Sequence, residues 1–151
     1  MRALFLLGRT LFGGFFAYNG LNHLQYAEGM GRYASAKHVP AAEQAVKATG
    51  LMLLAGGVSV MAGVKPRQGL AAIVAFLVPV TLQMHRFWDE ADPLTRQTEM
   101  IQFMKNMALA GAALSLMQVE EPWPVSVDNA RHVDEEMFIR LGGRDLRSLP
   151  A

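Results

Sequence analysis

The sequence predicts an all-α fold: an integral membrane bundle of four transmembrane helices, followed by a short cytoplasmic amphipathic C-terminal tail. Three observations predict it. Hydrophobic residues make up 52% of the 151 positions and charged residues 18%, against roughly 25% charged in soluble domains. The charges are unevenly spread, leaving stretches of about 20 residues almost free of them, the length a helix needs to cross a ~30 Å hydrocarbon core. These stretches show no period-2 alternation and are too long for barrel strands, so helices are the spanning structure that satisfies every backbone group.

The first segment runs over residues 3–24. Residues 1–16 have the hydrophobicity of a signal peptide, but no small-x-small cleavage site with a polar continuation follows Gly13-Gly14, and more hydrophobic segments come later. The segment therefore reads as a retained first helix. The second covers residues 42–64, and the third, residues 68–87, contains Pro79, which removes one backbone hydrogen bond and predicts a kink. Between them Val64-Lys65-Pro66-Arg67 forms a tight turn, making an antiparallel hairpin. The fourth covers residues 99–118, with Pro93 in the preceding acidic loop a helix start. Residues 25–41, with Gly29, Gly31 and Pro40, read as a loop. Small residues, among them Gly13, Gly14, Gly20, Gly50, Gly56, Gly57 and Gly111, recur in the segments and favour close helix packing.

After Glu120-Glu121-Pro122-Trp123-Pro124 the chain turns polar, dividing it into a membrane domain over residues 1–120 and a tail over 121–151. Asp128 is placed to cap a short helix ended by Gly142-Gly143. Its shared face of Val133, Met137, Phe138 and Leu141 predicts an interfacial helix or a dock for a partner subunit. Basic residues orient the chain. Arg2, Lys65, Arg67, Arg131, Arg140, Arg144 and Arg147 lie on one side, against Arg32, Lys37, Arg86 and Arg96 on the other. Both termini are thus expected in the cytoplasm of a multi-pass cell-membrane protein.

Net charge is +1 and no basic stripe interleaves with aromatics, so no nucleic-acid partner is expected. The absence of cysteine removes thiol nucleophiles, disulfide exchange and thiolate metal sites. No Gly-rich phosphate loop, nucleophile elbow or zinc motif is present, and no metal site is expected.

Polar and ionisable residues instead gather at one end of each segment, all on the outer side. Asn19, Asn22 and His23 share a face at the end of the first, while Glu43 and Lys47 open the second as an i, i+4 pair. His85 follows the third, sharing a face with Thr81 and Trp88. Gln102, Lys105 and Asn106 open the fourth. Ionisable side chains at membrane depth are costly and mark a site by default. Imidazoles, amides and a lysine beside aromatics suit the carbonyls of a quinone head group, or a small anion. Against this, the lysines and asparagines also suit capping, helix bridging or snorkelling to the interface, and Phe87, Trp88 and Tyr26 fit an aromatic belt. Arg9 stands apart, a turn and a half inside the first helix near the cytoplasmic leaflet, suited to reach lipid phosphates or an anionic ligand. His23 and His85 as axial ligands of a b-type haem are disfavoured, since two histidines at helix ends are weak grounds for one.

Three stretches together resemble the DoxX family of small four-helix membrane proteins: residues 11–24, with Gly13-Gly14, Asn19 and Asn22-His23; residues 39–69, with Val39-Pro40, Gly50, Gly56-Gly57 and Pro66-Arg67; and His85-Arg86-Phe87-Trp88 with residues 102–111, which hold Gln102, Lys105-Asn106 and Gly111. The resemblance covers residues 3–118; the tail from Pro122 departs from the compact pattern. It implies a link to membrane oxidoreductase systems, including a quinone-reducing thiosulfate dehydrogenase and a mycobacterial oxidoreductase complex, but carries over no catalytic set. The expected role is an inner-membrane accessory or quinone-interacting subunit, with no covalently bound cofactor, with His23, His85, Lys105 and Asn106 as head-group contacts and with Asn19 and Asn22 shaping the pocket. A non-enzymatic scaffold recruiting a soluble partner through its tail, and a small-molecule or anion transporter, are the rival classes.

Overall fold

The computed structural model describes residues 2–140, and these are all-helical. The elements are α1 (Arg2–Gln25), α2 (Ala27–Ala36), α3 (Ala42–Ala62), α4 (Pro66–Met84), a single 3-10 turn (Phe87–Asp89), α5 (Pro93–Leu116) and α6 (Val127–Arg140). The four long helices α1, α3, α4 and α5 correspond to the four expected segments. They contribute Phe16, Leu53, Val60, Leu70, Ile73, Leu77, Ala110 and Ala113 to one buried core.

Two of them, α3 and the stretch Pro66–Asp89, are long and apolar enough to cross a membrane. α1 and α5 are long enough at ~1.5 Å rise per residue but carry more polar residues, Arg9 and Asn19 in one, Lys105 and Asn106 in the other. Both still present apolar side chains outward at helical spacing: Leu4, Leu7, Leu11 and Tyr18 on α1, and Ile101, Met104, Met107 and Leu114 on α5.

Sequence explains how the elements are joined. Asp92 caps α5 by accepting from Thr95 N at 2.8 Å, and Pro93 occupies the first turn, where its missing N–H is harmless. Between α3 and α4 the chain reverses through Gly63 at φ 66° and Lys65 at φ 46°, with Pro66 starting α4. Ser59 Oγ donates to Val64 O at 2.6 Å and closes that hairpin. α1 and α3 meet at glycines: a Cβ on Gly13 would lie 2.6 Å from Gly57 O, so only a bare backbone fits there.

Three expectations are corrected. Residues 27–36 form a helix, although Gly29 and Gly31 lower its intrinsic propensity. Tertiary packing overrides propensity: Ala27, Met30 and Ala34 share one face and pack with Val46 and Met84, and Gly31 lets α2 rest on α3, where a Cβ would come within 2.9 Å of Glu43 Cα. α4 stops at Met84, so His85 and Trp88 follow the helix instead of sharing its face with Thr81, whose hydroxyl is turned inward to Leu77 O at 2.5 Å. Finally, Ser126, not Asp128, caps α6: its Oγ accepts from Asn129 N at 3.0 Å, while the Asp128 carboxylate accepts from Lys65 N at 2.7 Å.

The start of the tail is bound to the helices. Trp123 is fully buried in the main core and meets Phe5 edge-on at 5.3 Å. Arg67 N donates to Glu121 Oε1 at 3.1 Å. Beyond it, Val133, Met137 and Phe138 on α6 are exposed; Leu141 and Gly142-Gly143, expected to complete and end that helix, lie outside the described residues.

Candidate functional site

A cavity of about 510 Å³ opens where the C-terminal half of α1, the N-terminal half of α3, the C-terminal half of α4 and the middle of α5 converge beneath α2. Its volume is that of a small-molecule site, typically ~300–1,000 Å³. The walls are mostly apolar, from Phe16, Leu53, Phe76, Leu77, Val80 and Leu109, with Met30 and Ala34 of α2 closing one side.

Five residues singled out in the sequence line this cavity: Asn19, His23, His85, Lys105 and Asn106. His23 Nδ1 lies 3.1 Å from Thr49 Oγ1, and its ring meets Phe76 edge-on at 5.6 Å. Asn19 Nδ2 donates to Phe15 O at 2.7 Å, leaving its carbonyl oxygen unused. Asn106 is 8% exposed and its carboxamide has no hydrogen-bond partner among the described residues. Lys105 is exposed at the rim and donates to Gln102 Oε1.

The other five do not line it. Asn22 sits one helical turn beyond Asn19 and falls outside the lining, its backbone carbonyl accepting from Tyr26 N at 2.9 Å. Gln102 orients Lys105 from outside. Glu43 and Lys47 pair at 2.6 Å on the exposed face of α3. Arg9 lies at the opposite end of the helices and does not reach outward. It is 2% exposed, donates from Nη2 to Val125 O, and packs on Gly63 and Ser126; Nε and Nη1 have no partner. The start of the tail covers it, which a reading of α1 alone does not show.

The cluster that sequence reasoning missed centres on Glu99. This carboxylate is 8% exposed on α5, and its Oε2 is 2.7 Å from His85 Nδ1. The Tyr33 hydroxyl of α2 donates to Oε1 at 3.4 Å, and Lys37 Nζ is 3.8 Å from the same oxygen. Lys37 also binds Glu90 at 2.8 Å, and that hydrogen bond raises its pKa. Burial, then the charge of Glu99, holds the Tyr33 phenol above its ordinary value. Gln83 Nε2 donates to Lys37 O at 2.7 Å and ties the loop to α4. A signal was available: Glu99 and Asn106 are seven residues apart and share a stripe with Ala110 and Ala113, the buried face of α5. Around the turn after α4, Phe87, Trp88 and Phe103 form an edge-to-face cluster with centroids 5.1–5.8 Å apart. No group of three histidine or carboxylate side chains able to hold a metal forms among the described residues.

These features define a helical membrane protein with a polar-ended cavity at one end of its long helices. The DoxX family model matches residues 4–86, more than half of the chain, and the chain belongs to the DoxX family. No curated protein and no solved structure matches it.

Proposed function

We propose that this chain is a multi-pass inner-membrane protein whose cavity binds a quinone-type head group, and that it serves a membrane oxidoreductase system as an accessory subunit. The carrying observation is the cavity itself: apolar walls wide enough for a ring, with two imidazoles, a lysine and an unpartnered carboxamide at its polar places. Such a site recognises a flat apolar ring bearing oxygen atoms. The outward apolar stripes of α1 and α5 support membrane crossing by all four long helices, and the excess of Lys and Arg at the end opposite the cavity supports cytoplasmic termini. The cavity then opens toward the outer leaflet, within reach of lipid-dissolved quinones. With no cysteine and no resident redox group implied by its residues, the chain's part is to hold the head group for a partner that moves the electrons.

The experiment is a titration of the purified full chain in mild detergent with a short-chain benzoquinone–benzoquinol couple. Saturable binding is expected, weakened at least about tenfold by His85→Ala, the loss of one good hydrogen bond in a desolvated site. Absence of binding overturns the reading. The exposed Val133, Phe138 and Ile139 of α6 favour a second role for the tail, docking to a partner subunit or to the membrane surface. Because Trp123 and Asp128 belong to the folded body, that role is tested by truncation after residue 130, expected to leave head-group binding intact.

A further inference from the structure

The two cavity histidines are held in the same tautomer by their neighbours. Glu99 receives the Tyr33 hydroxyl and the Lys37 ammonium on Oε1, so its carboxylate is used as an acceptor throughout, and the proton of the 2.7 Å contact sits on His85 Nδ1. At His23 the partner is Thr49, whose single hydroxyl proton serves the carbonyls of Ala45 at 2.9 Å and Val46 at 3.0 Å. The Thr49 oxygen therefore accepts from His23 Nδ1 at 3.1 Å. In its neutral form each ring then carries its lone pair on Nε2, and both residues line the cavity. Asn19 adds a third acceptor in its free carbonyl oxygen, one of its two amide N–H groups being given to Phe15 O.

Lys105 and the Asn106 carboxamide also line the cavity and offer donors that the oxygens of either redox form can accept. The two imidazole acceptors, however, are matched only by a ligand that donates. A quinone ring offers two carbonyls and no donor; its reduced form offers two hydroxyl protons. We propose that the cavity selects the reduced, dihydroxy-aromatic form, with a ligand hydroxyl donating to His85 Nε2 and with Glu99 as the positioning residue that sets the tautomer. Thr49 does the same for His23 on the α1–α3 wall. This rests on the reading that the cavity takes a quinone-type head group. No bond is made or broken in this step; the selection is one of hydrogen-bond polarity.

The test uses the full chain in detergent, titrated anaerobically by calorimetry with a short-chain benzoquinol and separately with its benzoquinone. The wild-type protein is expected to bind the quinol at least about tenfold more tightly, the worth of one matched against one mismatched polar contact. In Glu99→Gln the side-chain amide offers Nδ1 either a donor or an acceptor, so the preference for the quinol falls severalfold, the part owed to His23 remaining. Nitrogen-15 spectra of His85 give a readout independent of ligand: a protonated Nδ1 in the wild type, a mixture of tautomers in Glu99→Gln. Equal or tighter binding of the quinone, or a proton found on Nε2, overturns the inference while leaving head-group binding standing. Failure to bind either form overturns both.

Discussion

His85 Nδ1 stands 2.7 Å from the Glu99 carboxylate across fourteen residues of chain, joining the end of α4 to the buried face of α5. The contact closes one wall of the cavity and gathers Tyr33 and Lys37 onto the same carboxylate. A buried acceptor with three neighbours is costly to remove, since each leaves with a group unpaired. Glu99→Ala is expected to lower stability by about 1–3 kcal/mol, read as a drop in Tm in detergent. Glu99→Gln, which keeps the volume and one acceptor oxygen, is expected to lose less. Equal Tm for all three proteins would remove Glu99 from the structural account.

The α1–α3 contact predicts a contrast between glycines. A Cβ on Gly57 would crowd the Gly13 carbonyl at 2.5 Å and Ala17 Cα at 2.9 Å, whereas Gly8 has nothing within 4 Å. Gly57→Ala is expected to cost about 1–3 kcal/mol through forced separation of two backbones. Gly8→Ala is expected to be neutral or to gain up to about 1 kcal/mol from helix propensity. Thermal unfolding of both variants checks the pair of signs.

Arg9 gives a prediction of opposite character. Its guanidinium is buried with Nε and Nη1 unpartnered, and a buried charge without a counter-charge is a burden on the fold. Arg9→Met, which keeps much of the length and apolar packing, is expected to match or exceed the wild-type Tm. Trp123→Ala at the same end is expected to cost about 3–5 kcal/mol, as for a large aromatic removed from a core. A large loss of Tm in Arg9→Met would show that a bound anion compensates the charge.

Asp92 adds a pH dependence. Its carboxylate accepts from Thr95 N and Thr95 Oγ1, both at 2.8 Å, and the backbone hydrogen bond is the larger cause of its lowered pKa. With the folded value below the unfolded one, its contribution is present above the ordinary Asp pKa and fades as pH falls through the lowered folded value. Asp92→Asn caps without titrating. The Tm difference between wild type and Asp92→Asn should therefore shift against the wild type in acid and stay level above pH 5, roughly a unit above the ordinary Asp value.

Much of this fold was legible in the chain because the long helices announce themselves through hydrophobic length, and Pro93, Pro66 and Asp92 mark their starts. α2 was not legible. Its two glycines argue for a loop, and the contact that rescues it, Gly31 against Glu43, is a tertiary one. Convergence of Asn19, His23, His85, Lys105 and Asn106 followed from their placing at like ends of the helices. Glu99 escaped because a single acidic residue near a segment boundary looks like interfacial solvation until α2 folds over it. Glu43 and Lys47 were drawn into the cluster by proximity in sequence, yet their pair faces outward: depth along a helix can be read from sequence more readily than rotation about its axis.

The most direct test of the central claim is photolabelling of the full chain, in membranes, with an azido-quinone, followed by peptide mapping. Labelling should fall on residues 15–23, 75–85 and 105–109, be displaced by excess unlabelled quinone, and drop when Ala45→Trp fills the cavity. Displaceable labelling confined to other segments, or labelling unchanged by Ala45→Trp, would contradict the assignment of this cavity as the head-group site.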